Sequence, residues 1–118
     1  MARPLPNIIL IMADDLGWGE LGAMGAADLR TPHLDALLTG GWHGTRAYTA
    51  SPVCSAARAG ILTGRHPARY GMNRVLRDPA DQHGFPRGER LLPELLRSAG
   101  YTCGLVGKWH LGRGPGQE

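Results

Sequence analysis

An apolar run that ends in two carboxylates constrains this chain most. Residues 7–13 read Asn-Ile-Ile-Leu-Ile-Met-Ala, and Asp14 and Asp15 follow at once. A continuous apolar stretch with β-branched Ile8, Ile9 and Ile11 is the pattern of a strand buried on both faces, as in parallel sheets covered by helices. Open α/β sheets place their sites at the carboxyl ends of strands, where Asp14 and Asp15 stand. Two adjacent carboxylates repel unless a cation joins them, and hard oxygen donors suit calcium or magnesium. A solvated turn explains the pair equally well on these residues alone.

The rest of the chain alternates short elements. Gly 18 and Pro 9 among 118 residues imply many turns. Thr31-Pro32 predicts a helix start, with Leu34, Leu37 and Leu38 on one face and Gly40-Gly41 as the stop. Residues 45–49 read as a short strand. Ser55 to Thr63 reads as a helix with Cys54 at its N-terminal end. Residues 69–90 read as a polar loop. Leu92 to Ala99 predicts a helix stopped by Gly100, its apolar stripe formed by Leu91, Leu92, Leu95, Leu96 and Ala99. Residues 101–106 return as a strand. This order is α/β, with three strands in a thin sheet.

Composition excludes several classes. One domain at most fits this length, and 42% hydrophobic residues suffice for a core. No apolar run approaches the roughly 20 residues of a membrane span. The net charge is +3, Lys108 is the single lysine, and the arginines scatter from Arg3 to Arg113. A nucleic-acid module would concentrate its charge, so none is expected. The N-terminus lacks a signal-peptide pattern, which predicts a cytoplasmic protein, or a periplasmic or secreted one if the true start lies upstream. Cys54 and Cys103 are read as two separate thiols.

Four motifs carry chemistry. Gly17-x-Gly19-x-x-Gly22 matches a dinucleotide fingerprint in letters, but Asp14 and Asp15 stand between strand and glycines and would repel pyrophosphate. Gly107-Lys108 is no phosphate loop, because Trp109 stands where Ser or Thr must bind magnesium. Cys54 opens a helix whose dipole and N–H groups favour an anion, with Arg58 one turn on. That pair can hold an anionic oxyacid ester; a small buried thiol is the plainer alternative. Lys108 and His110 alternate around Trp109, and period two predicts both on one side, where they could grip an anion and move a proton. A solvent-exposed strand end accounts for them as well.

Together these segments resemble the N-terminal part of the type I sulfatases, within the alkaline-phosphatase-like superfamily. The match runs through Pro6 to Gly22, Thr31-Pro-His-Leu-Asp35, Ser51-Pro-Val-Cys-Ser-Ala-Ala-Arg-Ala-Gly-Ile-Leu-Thr-Gly-Arg65, Leu92 to Tyr101 and Gly107-Lys-Trp-His-Leu-Gly112. Residues 54–65 look like the sulfatase signature, C-x-(P/A)-x-R followed by L-T-G-R. The look is close to the arylsulfatase A and N-acetylgalactosamine-6-sulfatase branch. The resemblance implies an alkaline-phosphatase-like sandwich, a mostly parallel sheet flanked by helices. It implies that a formylglycine-generating or equivalent maturation enzyme oxidises Cys54 to formylglycine, whose hydrate attacks sulfur. Asp14, Asp15 and residue 54 would hold Ca2+, or Mg2+. Arg58 would pair with aspartate or formylglycine oxygens, Lys108 would bind formylglycine and sulfate oxygens, and His110 would serve as base. The substrate would be a small sulfate ester or a sulfated glycan.

Departures from the family pattern qualify that reading. Ala56 stands where proline is usual, an accepted variant. Gly44 and Ala47 replace large apolar residues expected between Trp42 and Tyr48. The resemblance ends after Gly112, while family members are several times longer, with further metal ligands, a histidine and a lysine downstream. Residues 1–118 are therefore expected to be the N-terminal portion of a sulfatase catalytic domain, inactive alone. Three other readings stay open: a phosphonate monoester or phosphodiester hydrolase of the same superfamily, a non-catalytic remnant or interaction fragment, and a thiol enzyme using Cys54 directly.

Overall fold

A computed structural model describes residues 4–76, 84–86 and 88–112. The chain forms two compact units, Met1–Arg46 and Ala47–Glu118.

In the first unit, residues 4–13 contain neither helix nor strand. The glycine-rich stretch after them closes a turn, with Glu20 N–H donating to the Gly17 carbonyl at 3.2 Å. Glu20 Oε2 accepts from Gly17 N–H at 2.6 Å. A 3-10 helix of three residues, Gly22–Met24, follows and ends at Gly25 with φ 106°. A three-residue turn offers no long helix N-terminus to a pyrophosphate, which agrees with rejecting the dinucleotide motif. Helix α1 spans Pro32–Gly40, and Gly41 N–H closes it on the Leu37 carbonyl.

Thr31 stands at the N-cap position of α1, as the sequence predicts, but its side chain caps nothing. Its Oγ1 instead accepts from Gly22 N–H at 2.8 Å and donates to Asp35 Oδ1 at 2.8 Å. Asp35 Oδ1 also accepts from Ala23 N–H at 2.9 Å. One half-buried carboxylate thus ties the 3-10 turn to the first turn of α1, where a negative charge is favourable.

The second unit holds the core. Helix α2 spans Cys54–Thr63 and buries Ser55, Ala56, Ala57, Ala59 and Gly60. Ser51 Oγ accepts from Val53 N–H at 3.3 Å and turns the chain into the helix. Gly64, in the left-handed region at φ 65°, ends it. A 3-10 helix, Pro67–Tyr70, follows directly. Ala59, Met72, Leu76 and Leu111 form the core, with Leu62, Tyr70, Phe85 and Trp109 packed against it. Helix α3 spans Leu92–Ser98, and Glu94 Oε2 accepts from Leu91 N–H at its start.

One sequence expectation needs correction. Residues 69–90 are not a plain polar loop: Met72 and Leu76 are buried core residues, while residues 77–83 and 87 lie outside the described residues. No strand lies among the described residues, which include 7–13, 45–49 and 101–106. Ile9 is 83% exposed and Ile11 72%. The physical reason is that an apolar β-branched run states a local preference, whereas a strand exists only where a neighbouring chain takes its N–H and C=O groups.

Candidate active site

Asp14 and Asp15 belong to the first unit, where both are exposed. Asp15 has φ 57°, in the left-handed region that few residues other than glycine adopt. Among the described residues only His110, at φ 56°, shares that property. Left-handed non-glycine residues gather at functional sites because the surrounding structure must hold them against a cost of about 1–3 kcal/mol. Both sequence-predicted carboxylate and imidazole positions thus carry an independent mark. The donor set also fits a hard divalent cation: two adjacent exposed carboxylates offer oxygen atoms only.

The other four candidates lie in the second unit. Cys54 is the first residue of α2 and half-buried; Cys54 and Cys103 form no disulfide. The four residues that follow Cys54 explain why its position is firm. Ser55, Ala56 and Ala57 are buried, and Arg58 lies half-exposed one turn further on. Small side chains let α2 sit close to its surroundings: a Cβ at Gly60 would meet Ala50 Cβ at 3.2 Å and Pro67 Cδ at 3.4 Å. Ala56, the alanine variant of the signature, is wholly inaccessible to solvent.

Arg58 Nη1 donates to the Lys108 carbonyl at 2.7 Å. This bond joins α2 to the segment that carries Lys108 and His110, residues fifty positions away. The side chain of Lys108 is exposed, and those of Trp109 and His110 are half-buried. The period-two argument that set Lys108 and His110 on one side fails in its premise, because the left-handed backbone at His110 breaks any strand alternation. What fixes His110 is packing and a hydrogen bond. Leu111 is 2% exposed and seals the next position into the core. Phe85 N–H donates to the Leu111 carbonyl at 3.0 Å. His110 Nε2 lies 2.8 Å from the Leu76 carbonyl oxygen.

The Leu-Thr-Gly-Arg half of the signature has a different job. Thr63 Oγ1 donates back to the Ala59 carbonyl at 2.7 Å and lies 3.0 Å from Tyr70 Oη. Arg65 Nη1 bridges both Glu89 carboxylate oxygens, at 2.6 and 2.5 Å. Its guanidinium also lies 5.6 Å from the centre of the Tyr70 ring. These residues anchor the end of α2. Sequence reading missed Ser55, whose hydroxyl accepts from Leu76 N–H at 3.1 Å. Its signal was a polar residue on the alanine face of α2. The backbone role of Leu76 has no sequence signal.

A family model, Sulfatase, matches residues 6–117. The chain belongs to the sulfatase family. It is 47% identical over 115 residues to arylsulfatase A of Homo sapiens, covering 98% of this chain and 22% of that protein. It is 44% identical over 117 residues to N-acetylgalactosamine-6-sulfatase of Rattus norvegicus, covering 93% of this chain and 22% of that one. A solved structure, Ps i-CgsB in complex with k-i-k-neocarrahexaose, superposes with a TM-score of 0.84 at 37% identity, over 96% of this chain and 25% of its own. The sulfatase neighbours support an alkaline-phosphatase-like α/β fold for this chain, which spans about a fifth of the length of the curated relatives it matches.

Proposed function

We propose that this sulfatase-family chain is the N-terminal portion of a sulfatase catalytic domain, residues 1–118, and contributes to hydrolysis of sulfuric esters. The observation that carries this reading is the Arg58–Lys108 hydrogen bond. It joins the helix headed by Cys54 to the segment bearing Lys108 and His110, so four residues of the family pattern act from one unit.

In this reading a maturation enzyme converts Cys54 to formylglycine, which supplies the attacking oxygen once hydrated. Asp14, Asp15 and residue 54 would hold a calcium ion, with magnesium as the near alternative, and such an ion would supply Lewis-acid activation of a bound oxygen. Lys108 gives its ammonium charge to the sulfate oxygens. Arg58 donates one N–H to the Lys108 carbonyl, which holds its guanidinium against the segment that bears Lys108 and His110. His110 accepts the proton released as product forms. The substrate is a small sulfate ester or a sulfated glycan; similarity to N-acetylgalactosamine-6-sulfatase and to a protein solved with k-i-k-neocarrahexaose favours the glycan. Residues 7–13 and 101–106 are proposed as strands of a mostly parallel sheet flanked by helices, which accounts for their apolar, exposed side chains.

A chimera tests this function. Residues 6–117 replace the matching segment of human arylsulfatase A, and the product is made together with the maturation enzyme. The expected result is aryl sulfate hydrolysis above aryl phosphonate hydrolysis, an aldehyde at position 54 by peptide mass, and loss of activity in Cys54→Ala. Activity with an unconverted Cys54 that thiol alkylation abolishes would overturn it in favour of a thiol enzyme. Preference for the phosphonate would move the chain to that branch of the superfamily.

A further inference from the structure

The His110 imidazole is connected, through the backbone of a single residue, Leu76, to the residue that follows Cys54. Leu76 N–H donates to Ser55 Oγ at 3.1 Å, and the Leu76 carbonyl lies 2.8 Å from His110 Nε2. A carbonyl oxygen can only accept, so Nε2 carries the hydrogen of the neutral ring. Nδ1 is then the nitrogen with the lone pair, and it is buried with no partner among the described residues. Which nitrogen of a histidine is bare is set by the bond the other nitrogen makes.

We infer that Ser55 and the Leu76 backbone are positioning elements that hold His110 as the Nε2–H tautomer, with Nδ1 as its proton-accepting atom. Ser55 is fully buried, so its hydroxyl has no competing water. Leu76 is a core residue, so the backbone that carries its carbonyl is held by its side chain in the core and by its N–H on Ser55. The ring has little freedom to turn away. Its own backbone is left-handed at φ 56°, and Leu111 beside it is sealed in the core. The buried bare nitrogen is therefore a maintained state, one that leaves a polar atom without a partner until a proton or hydroxyl reaches it.

The use of Nδ1 as a base rests on the proposed sulfatase reading; the tautomer does not. The test uses the 118-residue chain labelled with 15N and 13C, at about pH 8. Long-range 1H–15N correlations report which ring nitrogen bears hydrogen, and His110→Gln identifies the His110 signals. The expected pattern is protonated Nε2 and bare Nδ1, with a coupling across the hydrogen bond from Nε2 to the Leu76 carbonyl carbon. An Nδ1–H or averaged pattern in the unmutated chain would overturn the inference, whatever the enzyme's substrate. In Ser55→Ala, His110 is expected to shift toward an averaged pattern while His33, His43 and His66 stay unchanged. An unshifted pattern would remove Ser55 from the assignment. In the chimera, Ser55→Ala is expected to lower kcat ~10-fold or more with KM unchanged and position 54 converted, a part of the ~10²–10⁴ a base supplies. A proportional rise in KM instead would mean that Ser55 acts on binding rather than on the base.

Discussion

The two units hold their shape by different means. In the first, none of the described residues is buried, and α1 leaves Leu34 and Leu37 largely in solvent. Its order rests on hydrogen bonds that meet at Thr31 and Asp35. The second unit contains all the buried residues described, and α2 is packed on its alanine and glycine face. Helices of similar length, nine and ten residues, are thus stabilised by a polar clasp in one case and by close packing in the other. The lesson concerns the site. His110 and Cys54 stand on a core that fixes them, whereas the carboxylates Asp14 and Asp15 stand on an exposed segment.

Truncating the core should show this difference at its largest. Leu111→Ala removes a side chain that is 2% exposed, and loss of a packed leucine costs about 2–5 kcal/mol. Leu37, on α1, is 65% exposed, and Leu37→Ala should change stability by less than about 0.5 kcal/mol. Urea unfolding of both variants measures the contrast. Equal losses would mean that α1 is packed as tightly as the core, and the comparison would fail.

Two glycines sharpen it. Gly112 and Gly25 both adopt positive φ, 90° and 106°. A Cβ at Gly112 would lie 2.9 Å from Gly84 Cα, a backbone atom, whereas nothing lies within 4 Å of one at Gly25. Gly25→Ala should therefore lose only the left-handed penalty, about 1–2 kcal/mol. Gly112→Ala adds the clash and should lose about 2–4 kcal/mol. Thermal melts of the two variants check the order. A smaller loss at position 112 would show that the 84–86 segment yields freely, and that the turn behind His110 is not fixed by it.

Local chemistry made the helices legible. Thr31-Pro32 and Gly40-Gly41 bracket α1, Cys54 heads α2, and Gly100 follows α3, all as the residue types imply. Motif letters alone select the candidate residues Asp14, Asp15, Cys54, Arg58, Lys108 and His110. Other features depend on residues far apart in sequence and leave no local trace. Met72 and Leu76 sit in a stretch that reads as polar loop, yet they join Ala59 and Leu111 in the core. The left-handed backbone at His110 is announced by no residue type. Strand partners for residues 7–13 and 101–106 are likewise a property of pairing, and periodicity reports only one member of a pair.

The polar clasp of the first unit offers the next effect in size. Thr31→Val keeps the shape of the side chain and removes its hydroxyl. Gly22 N–H loses its acceptor and Asp35 Oδ1 loses one donor. Each neutral bond is worth about 0.5–1.5 kcal/mol and a charged one somewhat more, so a loss of about 1–2 kcal/mol is expected because the site is only partly buried. Amide hydrogen exchange at Gly22 and Ala23 locates it. Faster exchange at both, with Leu111 unchanged, places the effect in the clasp. Unchanged exchange would mean that the turn holds without Thr31.

The smallest effect is expected at the Arg65–Glu89 pair, although its geometry is good. Arg65 Nη1 reaches both carboxylate oxygens, but the arginine side chain is 48% exposed. Exposed pairs are worth roughly 0.2–1 kcal/mol and are screened by salt. Glu89→Gln should therefore cost less than about 1 kcal/mol, and the difference should shrink in about 1 M salt. Arg65→Lys should cost a comparable amount for another reason, since the planar group over the Tyr70 ring is lost while the charge remains; salt should then leave that loss in place. If both losses vanish in salt, the ring contact contributes nothing and the end of α2 is held by Thr63 and Tyr70 instead. If neither does, the signature arginine is fixed by stacking, and its partner carboxylate serves only to orient it.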